Sequence, residues 1–234
     1  MANKLPKIDL PLFELVLPST GKKIKYRPFT VKEEKILLMA VLNDDPKEVI
    51  TAIKQIVNNC ILEDNFDVAS IPYFDFEYIF IQLRIRSVGS MISLRFRHND
   101  ENCGHINEVE LDLNSIEIGN IENNSNIMLT DTIGVKMKYP TIETIEDFDS
   151  TNLSKVFDLV QSSIEYIFDE NTVYSDFTEE ELKEYIGNLS QSNAKKLVDF
   201  IGSMPTLSKK LEFTCGKCKT ELSKEVRGLS DFFT

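Results

Sequence analysis

The pattern of apolar and polar positions near the start of the chain predicts a β-hairpin. FELVL (Phe13 to Leu17) and KKIKYRPF (Lys22 to Phe29) are rich in β-branched and aromatic residues. The turn-forming sequence Pro18-Ser19-Thr20-Gly21 separates them. Two such runs around a turn are typical of paired antiparallel strands.

Three helices are predicted after this hairpin, over residues 31–42, 46–62 and 74–88. Thr30 and Asp45 are candidate N-cap residues for the first two, and each is followed three positions later by a glutamate. The third helix is apolar on most of its circumference, which predicts a central position. The second helix carries one apolar stripe, formed by Val49, Ile50, Ile53, Ile56, Val57, Cys60 and Ile61.

Alternating positions predict a second hairpin from residues 90–97 and 109–113. Arg95 and Arg97 share one face of its first strand, and acidic residues alternate with the apolar positions of its second strand. Pairing the two strands places opposite charges together on one face, which favours the hairpin.

The same order of elements is predicted again after a polar break at residues 121–126. The sequence before Tyr139 repeats the one before Tyr26, and a cysteine-containing hairpin again closes the segment, at an offset of about 115 residues. Thr178 and either Ser190 or Ser192 are candidate helix caps. The first predicted helix of this segment carries the stripe Leu153, Val156, Phe157, Val160, Ile164 and Ile167.

We therefore predict an α+β fold with an internal duplication. Residues 1–120 and 121–234 would each contain a β-hairpin, three helices and a Cys-bearing hairpin of zinc-ribbon type. The alternative is that two α+β lobes resemble each other by chance.

Composition narrows the class of protein. The 234 residues are 42% hydrophobic and 27% charged, which is enough to bury a core and argues against disorder. The net charge of −12 opposes binding to nucleic acid. No apolar run has the length of a membrane span, and the N-terminus lacks the apolar region of a signal peptide, so we expect a soluble cytoplasmic protein.

The residues available for catalysis are few. The chain has two histidines, nine glycines and no tryptophan, and it contains no phosphate-binding loop, nucleophile elbow, zinc-protease motif or dinucleotide fingerprint. These features predict a protein that is not an enzyme.

The cysteines predict a metal site. Four cysteines in a cytoplasmic chain argue against a disulfide framework. Cys215 and Cys218 form a C-x-x-C in a predicted turn, which is typical of a zinc knuckle and supplies half of a tetrahedral site. The corresponding turn of the first half contains His98, Cys103 and His105.

We predict structural zinc held by His98, Cys103, Cys215 and Cys218, with His105 as the competitor for His98. Such a site would lock the two halves together. A thioredoxin-like redox role is weakened because Cys215 does not begin a helix after a strand. Cys60 lies on a helix stripe and is predicted to be a core residue.

Three stretches carry a resemblance to a known family. GKKIKYRPFTVKEEKILLMA (21–40), AIKQIVNNCILED (52–64) and FDFEYIFIQLRIRSVG (74–89) resemble the baseplate hub assembly proteins of T4-like contractile-tailed bacteriophages. The likeness covers nearly the whole chain, including the two Cys-bearing hairpins, which in this family often look like paired C-x-x-C turns. The first turn departs from that pattern, since one cysteine is missing and His98 stands five positions before Cys103.

The resemblance implies a late viral protein that takes part in baseplate hub assembly, as a chaperone or a structural subunit, with hub and tape-measure proteins as partners. It would act in the host cytoplasm during assembly or reside in the tail baseplate of the virion. It implies no catalytic residue. The net charge and the lack of a long apolar run predict neither nucleic acid nor a membrane as a partner. Two alternatives are a zinc-ribbon regulator that contacts nucleic acid or the host transcription machinery, and a hydrolase or redox enzyme that uses Cys215 and Cys218.

Overall fold

The structure is a computed structural model that describes residues 8–43, 45–121, 125–145 and 152–233. The predicted polar break at 121–126 lies partly outside the described residues. Helices and strands both occur throughout, so the predicted α+β class is confirmed. In chain order the elements are β1 (Phe13–Val16), β2 (Lys23–Tyr26), α1 (Val31–Leu42), α2 (Pro46–Cys60), α3 (Tyr73–Ser87), β3 (Met91–Arg97), β4 (Ile106–Asp112), β5 (Glu117–Ile118), β6 (Asn126–Met128), β7 (Gly134–Met137), α4 (Ile142–Ile145), α5 (Leu153–Ser162), β8 (Ile164–Phe168), β9 (Val173–Tyr174), α6 (Glu179–Gly187), α7 (Gln191–Gly202), β10 (Leu207–Thr214), β11 (Glu221–Arg227) and α8 (Gly228–Phe233).

The chain divides into two compact units. Unit 1 contains the described residues up to Val68, Asp75–Glu117 and those from Leu207 onward, and unit 2 contains Ala69–Phe74 and Ile118–Thr206. The C-terminal hairpin β10–β11 therefore belongs to the same unit as β3–β4. The duplication into residues 1–120 and 121–234 stays a prediction.

Unit 1 contains three antiparallel hairpins. β1 pairs with β2, β3 with β4, and β10 with β11. In the second hairpin Arg95 lies opposite Glu108, as the charge pattern predicts. β10 also neighbours β5, whose Glu117 forms an ion pair with Lys209 at 3.0 Å.

A partly buried polar cluster joins α1 and α2 to Arg27, the residue that follows β2. Glu33 accepts hydrogen bonds from the guanidinium of Arg27 at 2.8 and 3.0 Å and from the backbone N–H of Thr30 at 2.7 Å. Arg27 also donates to the carbonyl of Asn59 at the end of α2 and to Cys60 Sγ. The Arg27 hydrogen bonds lower the pKa of Glu33 to about 2, because they stabilise its charged form.

The prediction that Cys60 is a core residue is confirmed in unit 1. Its thiol is fully buried in α2, on the apolar stripe that also contains Ile56 and Val57. At the C-terminus, Phe232 of α8 is buried as well. The carboxylate of Glu77 anchors this helix, since it accepts a hydrogen bond from the backbone N–H of Leu229 at 3.0 Å.

Unit 2 has its own sheet and its own core. The strand order is β6-β7-β8-β9, all antiparallel. Helices α5, α6 and α7 contribute apolar side chains to one cluster with this sheet, including Val160, Leu182 and Leu197. The cluster is buried, and β7 contributes Val135 and Met137 to it from the sheet.

One predicted helix of unit 2 is wrong in its extent. The stripe expected to run as a helix to Ile167 is divided, because α5 ends at Ser162 and residues 164–168 form β8. The hydroxyls of Ser162 and Ser163 bond back to the carbonyl of Leu159 at the helix end. The following IEYIF sequence has the β-branched and aromatic residues that favour a strand.

None of the helices in the described ranges is both long enough and apolar enough to span a bilayer.

Candidate metal centre

Two turns of unit 1 bring the four predicted ligands together. His98 and Cys103 lie in the β3–β4 turn, and Cys215 and Cys218 lie in the β10–β11 turn. Their ligand atoms, one imidazole nitrogen and three sulfurs, all lie within 4.8 Å of one another. His105, the competitor for His98, is not part of this cluster.

Each turn is shaped by local backbone hydrogen bonds. In the β3–β4 turn, the N–H groups of Cys103 and Gly104 both donate to the carbonyl of Asp100. Gly104 has a φ of 55°, in the left-handed region that glycine adopts without strain. In the β10–β11 turn, the Cys215 N–H donates to the carbonyl of Thr220, and the Lys219 N–H donates back to the carbonyl of Cys215. These bonds close both turns, and the four ligand atoms of the two turns lie near one another.

Two of the distances in the cluster are close to those of a tetrahedral zinc site. Cys103 Sγ and Cys215 Sγ are 3.7 Å apart, and Cys218 Sγ lies 3.3 Å from His98 Nδ1. For zinc bonds to sulfur of about 2.3 Å, a tetrahedron requires a sulfur–sulfur separation of about 3.8 Å. All four cysteines of the chain are free thiols in the structure, and the separation of 3.7 Å is far longer than a disulfide bond.

Electrostatics in the cluster favour thiolate at Cys215. Backbone N–H groups of Cys218 and Lys217, followed by the Cys218 thiol and His98, lower the pKa of Cys215 to about 5. Hydrogen bonds with Thr220 lower the pKa of Cys218, and those with Cys215 and Cys218 raise the pKa of His98. Thiolate is the form of cysteine that binds metal, so the β10–β11 turn favours the metal-binding form of Cys215 and Cys218.

Contacts around the cluster join the two hairpins directly. The Gly216 N–H donates to Oδ1 of Asn107 at 2.8 Å, and Lys217 Nζ donates to the carbonyl of Cys103 at 3.1 Å. Phe96 and Phe213 stack with ring centroids 5.7 Å apart. These contacts hold the two turns, and with them the candidate ligands, next to each other.

Sequence reasoning did not identify Asn107 as part of this region. Asn107 is buried in β4, where its side chain meets the knuckle backbone. The sequence did carry a signal for this role: Asn107 is a polar residue on the same face of β4 as the apolar Val109 and Leu111.

The donor set of three sulfurs and one imidazole is one that zinc commonly adopts. Four protein donors would complete a tetrahedral shell and leave no position for a reacting water, which is the arrangement of a structural metal site.

Comparison with known proteins gives one match. The family described as T4 bacteriophage base plate protein matches residues 10–234, which is nearly the whole chain. No curated protein and no solved structure matches.

Proposed function

The chain belongs to the T4 bacteriophage base plate protein family, and from this membership we propose that it takes part in assembly of the baseplate hub through protein–protein contacts. Membership supports a structural or assembly protein of the phage baseplate and contacts with other baseplate proteins. The match over residues 10–234 is the observation that carries the proposal. We propose hub and tape-measure proteins as the partners, and a role in the host cytoplasm before the virion is complete.

An exposed apolar surface on α1 supports a role in protein contacts. Val31 and Leu42 are 80% and 83% exposed, and Leu38, Met39 and Val41 are also exposed along the same short helix. Several large apolar side chains close together on a surface commonly mark an interaction site.

We further propose that His98, Cys103, Cys215 and Cys218 hold one structural zinc ion. The cluster of donor atoms, all within 4.8 Å of one another, supports this assignment. The ion would link turns that are separated by 112 residues between Cys103 and Cys215, and so would stabilise the pairing of two hairpins within unit 1.

We propose that the protein is not an enzyme. The cysteines that an enzyme would need as nucleophiles are, in this proposal, ligands of a closed metal site. Cys60, the remaining thiol, is held in the core, where burial raises its pKa to about 12. A thiol in that state is a poor nucleophile.

The proposal is tested in infected cells with the gene inactivated and supplied again in tagged form. We expect inactivation to yield tails without complete baseplates by electron microscopy, and the tagged chain to recover hub or tape-measure proteins. Normal baseplates without the protein would contradict the proposal. Recovery of host RNA polymerase in place of tail proteins would favour a zinc-ribbon regulator.

The same tagged chain separates the two forms of the role. Its presence in purified mature particles at fixed stoichiometry would identify a structural subunit. Recovery with assembly intermediates, together with absence from finished particles, would identify a chaperone.

A further inference from the structure

Unit 2 contains an open groove between the β8–β9 hairpin and α6, with a volume of about 400 Å³. Its apolar floor is formed by Ile167 and Leu182, which also belong to the core of this unit. Three aromatic side chains, Tyr174, Phe177 and Tyr185, line its walls. We call this feature the acidic groove, because of the carboxylates at its edge.

Three carboxylates lie at the edge of the acidic groove, those of Asp169, Asp176 and Glu181. Two of them have local roles. Asp169 accepts hydrogen bonds from the hydroxyl of Tyr174 and from backbone N–H groups of its own turn, and Glu181 caps α6. These bonds hold both side chains in place and lower the pKa of each, so both are charged at neutral pH.

The charge around the acidic groove is not balanced. Residues 165–184 contain eight aspartates and glutamates against one lysine, a net charge of −7 within a chain of net charge −12. In the part of the chain that the structure describes, none of these eight carboxylates takes part in an ion pair. Such a concentration of like charge is unfavourable in the free protein and creates a strong negative potential.

We propose that the acidic groove binds a basic segment of another protein, in which lysine or arginine alternates with apolar side chains. The apolar side chains would lie against Ile133, which also lines the groove and is 37% exposed, above Ile167 and Leu182. The cationic groups would meet the carboxylates and the faces of Tyr174 and Tyr185. A second copy of this chain is a poor occupant, because its net charge is also −12. The inference rests on the proposed function only in placing the partner among baseplate proteins.

The test uses the full chain and three short synthetic peptides, with affinity measured by calorimetry. The first peptide alternates pairs of lysine and leucine, the second replaces leucine with serine, and the third replaces lysine with glutamate. We expect the lysine–leucine peptide to bind at least about tenfold more tightly than either of the others, because the groove offers both attraction and apolar surface. Equal binding of the lysine–leucine and lysine–serine peptides would overturn the inference, since it would leave only non-specific charge attraction.

Two matched pairs of variants locate the binding. Asp176→Lys should weaken the lysine–leucine peptide by about fivefold or more, while Asp64→Lys, the same charge change on an exposed loop of unit 1, should not. Tyr174→Ser should weaken it by a similar factor of about five, while Phe157→Ser, at an exposed aromatic of α5, should not. Equal effects within either pair would overturn the assignment to this groove.

Failure of this inference and failure of the proposed function are distinguishable. If the peptide does not bind and the inactivated phage lacks baseplates, the inference is wrong and the proposed function stands. If the peptide binds in the groove and the inactivated phage assembles normally, the inference stands and the proposed function is wrong. Dimerisation that Asp176→Lys abolishes would assign the groove to a second copy and overturn the inference.

Discussion

Removal of zinc should strongly destabilise unit 1. The proposed ion joins the β3–β4 turn to the β10–β11 turn, and Cys103 and Cys215 are 112 residues apart. A cross-link that closes a loop of this length reduces the entropy of the unfolded chain by an amount equivalent to about 5 kcal/mol at 25 °C. Metal–ligand bonds constrain the chain less rigidly than a covalent cross-link, so the stabilisation should be at or below this value. We therefore expect chelation of the zinc to lower the free energy of unfolding by about 3 to 5 kcal/mol.

The measurement is urea unfolding followed by circular dichroism, because the chain has no tryptophan to report by fluorescence. Protein loaded with zinc is compared with protein treated with a chelator, and bound zinc is determined by elemental analysis. Cobalt substitution gives an independent readout, since tetrahedral cobalt bound to thiolates has a characteristic visible spectrum.

Two histidine variants provide the control. His98→Ala should lose stoichiometric zinc and reproduce much of the effect of chelation. His105→Ala should retain zinc, because His105 lies outside the cluster. The reasoning is refuted if His98→Ala and His105→Ala bind zinc equally well, or if chelation leaves the unfolding midpoint unchanged.

Three further predictions concern the stability and reactivity of individual residues. Glu33→Gln should lower the free energy of unfolding by about 3 kcal/mol at pH 7 and by about 1.5 kcal/mol at pH 3. The pKa of Glu33 in the folded protein, about 2, lies below its ordinary value of 4.5, so the stabilisation by the charged carboxylate is lost as the pH falls through this interval. Cys60 should not react with a thiol reagent in the folded protein and should react after unfolding, since burial raises its pKa to about 12. Gly134→Ala should destabilise unit 2 by about 1 to 3 kcal/mol in thermal unfolding, because the added methyl carbon would lie 2.3 Å from the ring of Phe168.

Matched controls accompany these predictions. Glu110→Gln removes an exposed carboxylate of unit 1 and should change stability little at any pH. Gly187→Ala adds a methyl group where no atom lies within 4 Å and should be tolerated. A pH-independent effect of Glu33→Gln, rapid labelling of Cys60 in the native state, or equal effects of the two glycine variants would contradict the respective prediction.

Much of unit 1 could be predicted from local sequence signals. Thr30 and Asp45 set the starts of α1 and α2. The carboxylate of Glu33 accepts a hydrogen bond from the backbone N–H of Thr30, and the carboxylate of Asp45 accepts one from the backbone N–H of Lys47. The alternation of residues 91–97 fixed both the strand and the face that carries Arg95. These signals act within a few residues, so they do not depend on the rest of the fold.

The proximity of the four candidate ligands was also foreseeable, for a different reason. Each hairpin positions its own turn, and C-x-x-C requires a partner pair of ligands to complete a metal shell. The sequence left His105 as a competitor for His98, because both imidazoles belong to the same turn. In the structure, an imidazole nitrogen of His98 lies with the three sulfurs, and His105 lies outside the cluster.

The acidic groove shows where local signals fail. Ile164 and Ile167 continue the helical spacing of Val160, so the sequence alone favours the longer helix. Pairing of Val135 with Ile167 in the sheet decides the matter, because it buries β8 between β7 and β9. Because β8 is a strand, the chain can turn at Asp169 into β9 and continue to α6. The aromatic side chains and carboxylates of these elements therefore come together around one groove. The groove is therefore a property of the sheet order, and the binding role that we propose for the negative charge of residues 165–184 could be inferred only from that order.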